Sequence, residues 1–390
     1  MTPAARVQAA IEIVDQVIDA ATTGGAAADT LVQRYFATRR YAGSKDRRAV
    51  REHVYAAIRL CGPVPPSGRA AMLLLADRDA GVAAAFDGST HGPAPIGADE
   101  PRATPGLAPT WLEAALIESG LPQDALPALV DRAPLDVRIN PLRMTEALPE
   151  GEPLPHGLHG LRLPSGTRVE TLDAYRDGAI EVQDAGSQIV GLALPVAPGD
   201  RIIDLCAGAG GKTLALGARM ANQGLLLACD TDRARLQQLP PRAERAGVTI
   251  VEARLLNPGR EREMLADAIG AADGVLVDAP CSGTGTWRRN PEARWRLDPT
   301  RLARFVATQA QVLATGAALV RPGGSLVYIV CSLLDAEGAG QVESFLADHP
   351  GWRVEPLDLP AGRPQGQGVR LDPARDGTDG FFVARLVAPC

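Results

Sequence analysis

Clustered metal ligands, membrane-length apolar runs and an excess of positive charge are all missing from this 390-residue chain. Its six cysteines, Cys61, Cys206, Cys229, Cys281, Cys331 and Cys390, are scattered with none in CxxC spacing. That argues against a zinc knuckle and against a disulfide-framed scaffold, and leaves free thiols. The five histidines form no HExxH or similar cluster, so no metal is expected; His156 and His159 stand three apart, but among prolines and glycines that make a loop. No apolar run reaches the roughly 18 residues that a membrane span needs. The first residues lack a charged start followed by an apolar block and a small-residue cleavage site, so a cytoplasmic location is expected.

The formal net charge of −6 also speaks against a nucleic-acid partner, since phosphate binding rests on Lys and Arg. The local distribution reverses that. Arg34, Arg39, Arg40, Lys45, Arg47, Arg48, Arg51 and Arg59 face only Asp46 and Glu52 in the same stretch, and Arg288, Arg289, Arg294, Arg296, Arg301 and Arg304 make a second cluster. Each cluster is either a phosphate-binding patch or an ordinary solvated face.

At this length two or three domains are expected. Val7, Ile11, Val14 and Ile18, then Val50, Val54 and Ile58, recur at helical spacing, and helical stretches continue through Ala85. The Gly-, Pro- and Ala-rich segment from Asp87 to Pro109 reads as a linker. Trp111 to Val130 reads as helical and Leu135 to Arg143 as a short strand ending in a turn. From Arg201 the pattern changes to short apolar runs, RIIDLC, LLLACD, VTIVEA, GVLVDA and SLVYIVC, separated by helical stretches. Such runs suit parallel strands covered on both faces, which predicts an α/β fold with a doubly wound, mostly parallel Rossmann-like sheet. Phe381 to Val387 reads as a further strand, antiparallel and at an edge. The expected domains are residues 1–100, all-helical; 101–175, a linker and small connecting subdomain; and 176–390, the α/β domain.

Strand RIIDLC runs into Ala207, Gly208, Ala209, Gly210, Gly211 and Lys212 and then a helix, an arrangement in which backbone N–H groups meet a polar ligand. Asp230 closes the next strand, 24 positions after Cys206, where a carboxylate can accept hydrogen bonds from ribose hydroxyls. Together they describe an adenosine site. A nucleoside triphosphate site is the competitor, because Gly211-Lys212-Thr213 matches the end of a Walker A loop. It fails where that motif requires glycine and this chain has Cys206.

Two cysteines follow the fourth and fifth runs. One sits in Asp278-Ala279-Pro280-Cys281-Ser282-Gly283-Thr284-Gly285, the other in Tyr328-Ile329-Val330-Cys331-Ser332. In a doubly wound sheet both sequences end at the ligand-binding edge, so both thiols should face the cofactor. A thiol there has a specific use. Carbon 5 of cytosine is too weakly nucleophilic to attack a methyl sulfonium, but thiolate addition to carbon 6 converts the ring to an enamine whose carbon 5 can attack.

From about Gln183 to Phe382 the chain resembles the RsmB-type family of RNA cytosine-5 methyltransferases. The likeness is carried by Asp204 through Thr213, DAPCSGTG from Asp278, Arg288-Arg289-Asn290-Pro291-Glu292, Cys331-Ser332 with Glu337, Gln183 to Gln188, and Asp379-Gly380-Phe381-Phe382. The resemblance implies that Cys331 is the nucleophile, that Cys281 assists product release, and that Cys206, Ala207, Gly208, Ala209, Gly210, Gly211, Lys212 and Asp230 hold S-adenosyl-L-methionine. Asp278 would lie between cofactor and base. It further implies an RNA partner, in particular small-subunit rRNA, and a monomer. Asp46-Arg47-Arg48, Val50-Arg51-Glu52 and Val54-Tyr55 through Arg59 give the N-terminal region a likeness to the NusB-like helical RNA-binding domain. The chain departs from the family after the third strand, where an acidic residue near the adenine is usual and Ala253-Arg254-Leu255-Leu256-Asn257 stands here. An alternative is a NusB-like RNA-binding factor with an inactive methyltransferase domain.

Overall fold

A computed structural model describes residues 1–143 and 147–390, and the chain divides into two compact units, Met1–Arg132 with Thr286–Pro299, and Ala133–Gly285 with Thr300–Cys390. The segment 101–175, expected as one connecting piece, is therefore shared between them.

The first unit is helical: α1 Pro3–Thr23, α2 Ala28–Ala37, α3 Ser44–Leu60 and α4 Gly68–Ala76, then Ala80–Ala84 and Thr110–Glu118. Helix α1 starts where it does because the Thr2 hydroxyl accepts from Ala5 N at 3.1 Å and Pro3, which has no N–H to satisfy, occupies the first turn. Of the apolar stripe read from the sequence, Val7, Ile11 and Val14 are buried and Ile18 is partly buried, and with Ile13 and Val17 they pack with Val50, Val54 and Ile58 of α3 and Met72 and Leu73 of α4.

Two expectations change here. The 87–109 segment is not a free linker, because its backbone is tied to the helices: Ala103 N donates to Ala70 O, Gly106 N to Leu60 O, and Gly62 N to Thr104 O. The second arginine cluster is not a phosphate patch along its length. Arg294 is fully buried, and its guanidinium donates to the carbonyls of Pro291, Ile58 (2.6 Å) and Cys61 (2.8 Å). Arg296 donates to Gly25 O and Ala26 O at 2.7 and 2.6 Å, and buried Glu292 accepts from Ala28 N at 2.9 Å. These side chains satisfy main-chain groups at helix ends, the demand any buried terminus makes.

The second unit opens with a small antiparallel sheet of β1 Leu135–Ile139, β2 Glu152–Pro153, β3 Gly160–Leu163 and β4 Ile180–Val182, in the order β2-β3-β1-β4. The main sheet contains β5 Arg201–Asp204, β6 Leu225–Asp230, β7 Val251–Leu255, β8 Ala272–Asp278, β9 Val320–Val330, β10 Arg353–Glu355, β11 Arg363–Gln365, β12 Gly368–Leu371 and β13 Phe381–Val387. Its order is β11-β12-β13-β9-β8-β5-β6-β7, with β10 on β13. Strands β5 to β9 are parallel, and β13 runs antiparallel to β9. Alternate residues enter different cores: Ile203, Leu227, Val275, Val277 and Tyr328 on one face, Ile202, Leu226, Leu276, Val327 and Ile329 on the other. With both faces buried, each strand must be apolar throughout, hence the unbroken runs. Strand β13 is not the edge expected from the sequence, since β12 and β10 also pair with it.

Because the order reverses between β5 and β8, the crevice beyond their carboxyl ends is the place for a ligand. Among the described residues no helix is long and apolar enough to cross a membrane.

Candidate active site

The loop after β5 is shaped by its glycines. Gly210 adopts φ +87°, and a Cβ there would stand 2.3 Å from Leu239 Cδ1, so the turn into helix Gly211–Arg219 requires glycine. Ala207 N donates to Cys229 O at 2.8 Å, and Arg242 donates to Ala209 O at 2.6 Å while pairing with buried Glu181. Asp230 lies at this loop as expected. Its Oδ2 accepts from Gly208 N and its Oδ1 from Asp232 N, both at 2.7 Å. The carboxylate thus shapes the loop from beneath, and each oxygen retains acceptor capacity.

Asp204, the last residue of β5, is a site residue that sequence reasoning passed over. It is buried; Oδ2 accepts from the Thr213 hydroxyl at 2.7 Å, while Oδ1 is buried without a hydrogen-bond partner. Burial, reinforced by the charge of Asp278, pushes its carboxyl up to about 7. A carboxylate closing an otherwise apolar strand was the available signal.

Lys212 does not present its ammonium solely to the glycine loop. It donates to Asp278 Oδ2 at 2.7 Å, and Asp278 and Cys331 hold it protonated despite burial. Strand register places Asp278 opposite Ile329, so the loops leaving β8 and β9 run side by side. Cys281 Sγ and Cys331 Sγ consequently lie 3.3 Å apart. The structure therefore brings together Cys331, Cys281, Asp278 and Lys212, with Cys206 to Gly211 and Asp230 on the adjoining loop.

The thiols differ. Burial pushes Cys61 and Cys229 up to about 12, and burial with the charges of Asp204, Asp230 and Asp278 raises Cys206 well above the ordinary thiol range. None of these three is poised as a nucleophile. Cys281 is raised by its hydrogen bond with Cys331, then by burial and by the charges of Cys331 and Glu337.

Behind the pair, fully buried Glu337 ties the two loops. Oε1 accepts from Ser282 N at 2.8 Å and Gln309 Nε2 at 2.9 Å; Oε2 accepts from the hydroxyls of Ser332, at 2.5 Å, and Ser282. The C-terminal Asp379-Gly380 closes against the same loop. Gly380 N donates to Gly285 O, Gly285 N donates to Cys331 O, and a Cβ on Gly285 would lie 2.1 Å from Gly380 O. After the third strand of this sheet, Arg254 is engaged by Glu252 at 2.8 Å and Asp267 at 2.7 Å.

The family model for the 16S rRNA methyltransferase RsmB/F matches residues 191–387. The chain is 36% identical over 274 residues to a probable ribosomal RNA small subunit methyltransferase B of Synechocystis, covering 65% of this chain and 59% of that protein. It is 39% identical over 208 residues to ribosomal RNA small subunit methyltransferase B of Thermus thermophilus, covering 53% and 50%. It thus spans about half to three fifths of the length of these relatives. In fold it is similar to the crystal structure of PH0851, with a TM-score of 0.77 at 23% identity over 99% of each chain. NSun6 from Pyrococcus horikoshii with SFG superposes with a TM-score of 0.60 at 21% identity, over 72% of this chain and 98% of that one. Half of the chain falls within the matched model, over the loops that carry both thiols and the glycine turn, and the chain belongs to the RsmB/F family of 16S rRNA methyltransferases.

Proposed function

We propose that this protein is an S-adenosylmethionine-dependent methyltransferase that modifies carbon 5 of a cytosine in small-subunit rRNA, with Cys331 as nucleophile. The observation that carries the reading is the pair of thiols 3.3 Å apart at the ends of adjacent strands, beside the Lys212–Asp278 pair and the glycine loop. The cofactor fits the residues present. The loop from Cys206 to Gly211 offers backbone groups held in place by Asp230, and the unpartnered Asp204 Oδ1 provides a further acceptor at its base. Bound there, S-adenosylmethionine would supply an electrophilic methyl group on a sulfonium.

The chain's own residues do the remainder. The Cys331 thiolate adds to carbon 6, and carbon 5 then attacks the methyl group. Asp278 and Lys212 face the polar edge of the base and balance charge as the ring changes state. The carbon 5 proton leaves, the carbon 6–sulfur bond breaks, and the thiolate is regenerated, with Cys281 relaying the proton directly or through water.

The test is methyl incorporation from labelled cofactor into unmodified small-subunit rRNA, with cytosine positions mapped by bisulfite sequencing. Cys331→Ala should lose activity by several orders of magnitude and form no adduct. Cys281→Ala should transfer the methyl group and then stall, accumulating a denaturant-resistant protein–RNA band that requires the cofactor. Unaltered turnover in both variants would refute the thiol mechanism. RNA binding without methyl transfer by the wild type would point instead to a binding factor.

A further inference from the structure

Both cysteines are followed by serine, and both serines converge on one buried carboxylate. Ser282 gives Glu337 its backbone N–H and its hydroxyl, and Ser332 gives its hydroxyl. Thr284 Oγ1 lies 3.1 Å from Ser332 Oγ and accepts from Leu333 N at 2.8 Å, so a second link crosses between the same loops. The backbone carbonyl of Glu337 accepts from Tyr328 OH at 2.6 Å, which anchors the segment to the strand that ends in Cys331. All of this lies behind the sulfurs, with Gln309 completing the shell of donors.

We propose that Glu337 is a positioning residue which, through Ser282 and Ser332, fixes the register of the two thiol loops and so decides which sulfur is presented as the nucleophile. Cys331 is held as the presented sulfur, with Cys281 beside it at 3.3 Å. Without this tie the two sulfurs, so close together, could exchange roles, and the nucleophile would be presented from the wrong strand. The inference rests on the thiol reading above and adds to it what distinguishes the two thiols.

Alkylation of the full-length protein by iodoacetamide tests it, since a thiolate displaces iodide to form a thioether and a thiol does so far more slowly. Rates at each cysteine are read by mass spectrometry of peptides between pH 6 and 9. In the wild type Cys331 should react about tenfold or more faster than Cys281 at pH 7.5. Glu337→Gln, whose amide nitrogen cannot accept from the donors that meet the carboxylate, should bring the two rates to within about threefold by speeding Cys281. Equal selectivity in folded Glu337→Gln and wild type, or an equal slowing of both cysteines, overturns the proposal. If Glu337→Gln does not fold, Ser282→Ala leaves the carboxylate but cuts a tie to the Cys281 loop; it should raise Cys281 alkylation selectively, and wild-type rates there would also overturn it. Because alkylation needs neither RNA nor cofactor, its failure strikes Glu337 alone, whereas failure of the proposed activity would appear as full methyl transfer by Cys331→Ala.

Discussion

Replacing Asp204 by Asn should change how the stability of the second unit responds to pH. The folded carboxyl titrates near 7, against an ordinary value of 3.8, because burial opposes its charged form. Unfolded, it is ionised by about pH 5; folded, it keeps its proton until about pH 7, so in between the native state binds more protons. The contribution is fully present below the unfolded value and is lost as pH rises through the folded one. Three units at about 1.4 kcal/mol each give a full span on the order of 4 kcal/mol, of which about 3 kcal/mol falls between pH 5 and 8. Asparagine is isosteric, can keep a hydrogen bond with Thr213 and does not titrate. The stability of Asp204→Asn relative to wild type should therefore grow by about 3 kcal/mol from pH 5 to pH 8. Urea denaturation followed by circular dichroism at unit pH intervals measures the difference, from which every other titrating group cancels. Parallel stability profiles for the two proteins would refute the assignment.

Asp230→Ala removes the acceptor that holds the Gly208 and Asp232 N–H groups, and should weaken S-adenosylmethionine binding by about 1.5–3 kcal/mol in calorimetry; unchanged affinity would reduce Asp230 to a strand terminus. Arg294→Met should destabilise the helical unit by about 3–5 kcal/mol, since it strips three carbonyls of a buried cation, and a loss under about 1 kcal/mol in thermal or urea unfolding would contradict the burial described. In the N-terminal cluster Arg39 lies over Tyr35, Arg47 donates to Ala42 O and Arg51 pairs with Asp29. Replacing exposed Arg40, Lys45 and Arg48 by Gln should flatten the salt dependence of RNA affinity by about 0.9 for each phosphate that these side chains neutralise, and an identical slope would assign them to a solvated face.

The sequence by itself determined the class of the α/β unit and which residues stand on the loops at its sheet's edge. Unbroken apolar runs of this length suit strands buried on both faces, and a glycine loop after the first of them, with thiols after the fourth and fifth, puts that loop and both thiols at one edge of such a sheet. Those signals are local, written in spacing and residue type. Tertiary structure decided the rest, because it depended on partners distant in the chain. Arg294 reads as surface charge until Ile58 and Cys61 are found to offer their carbonyls, some 230 positions away. The 87–109 stretch reads as a linker until its amides are seen bonded to Ala70 and Leu60. Phe381–Val387 reads as an edge until β10 and β12 are placed beside it. Most of all, no spacing rule shows that Glu337 lies under both cysteine loops at once. That depends on where the chain after β9 turns, and the turn is fixed by the packing of Tyr328 and Gln309 rather than by any local pattern.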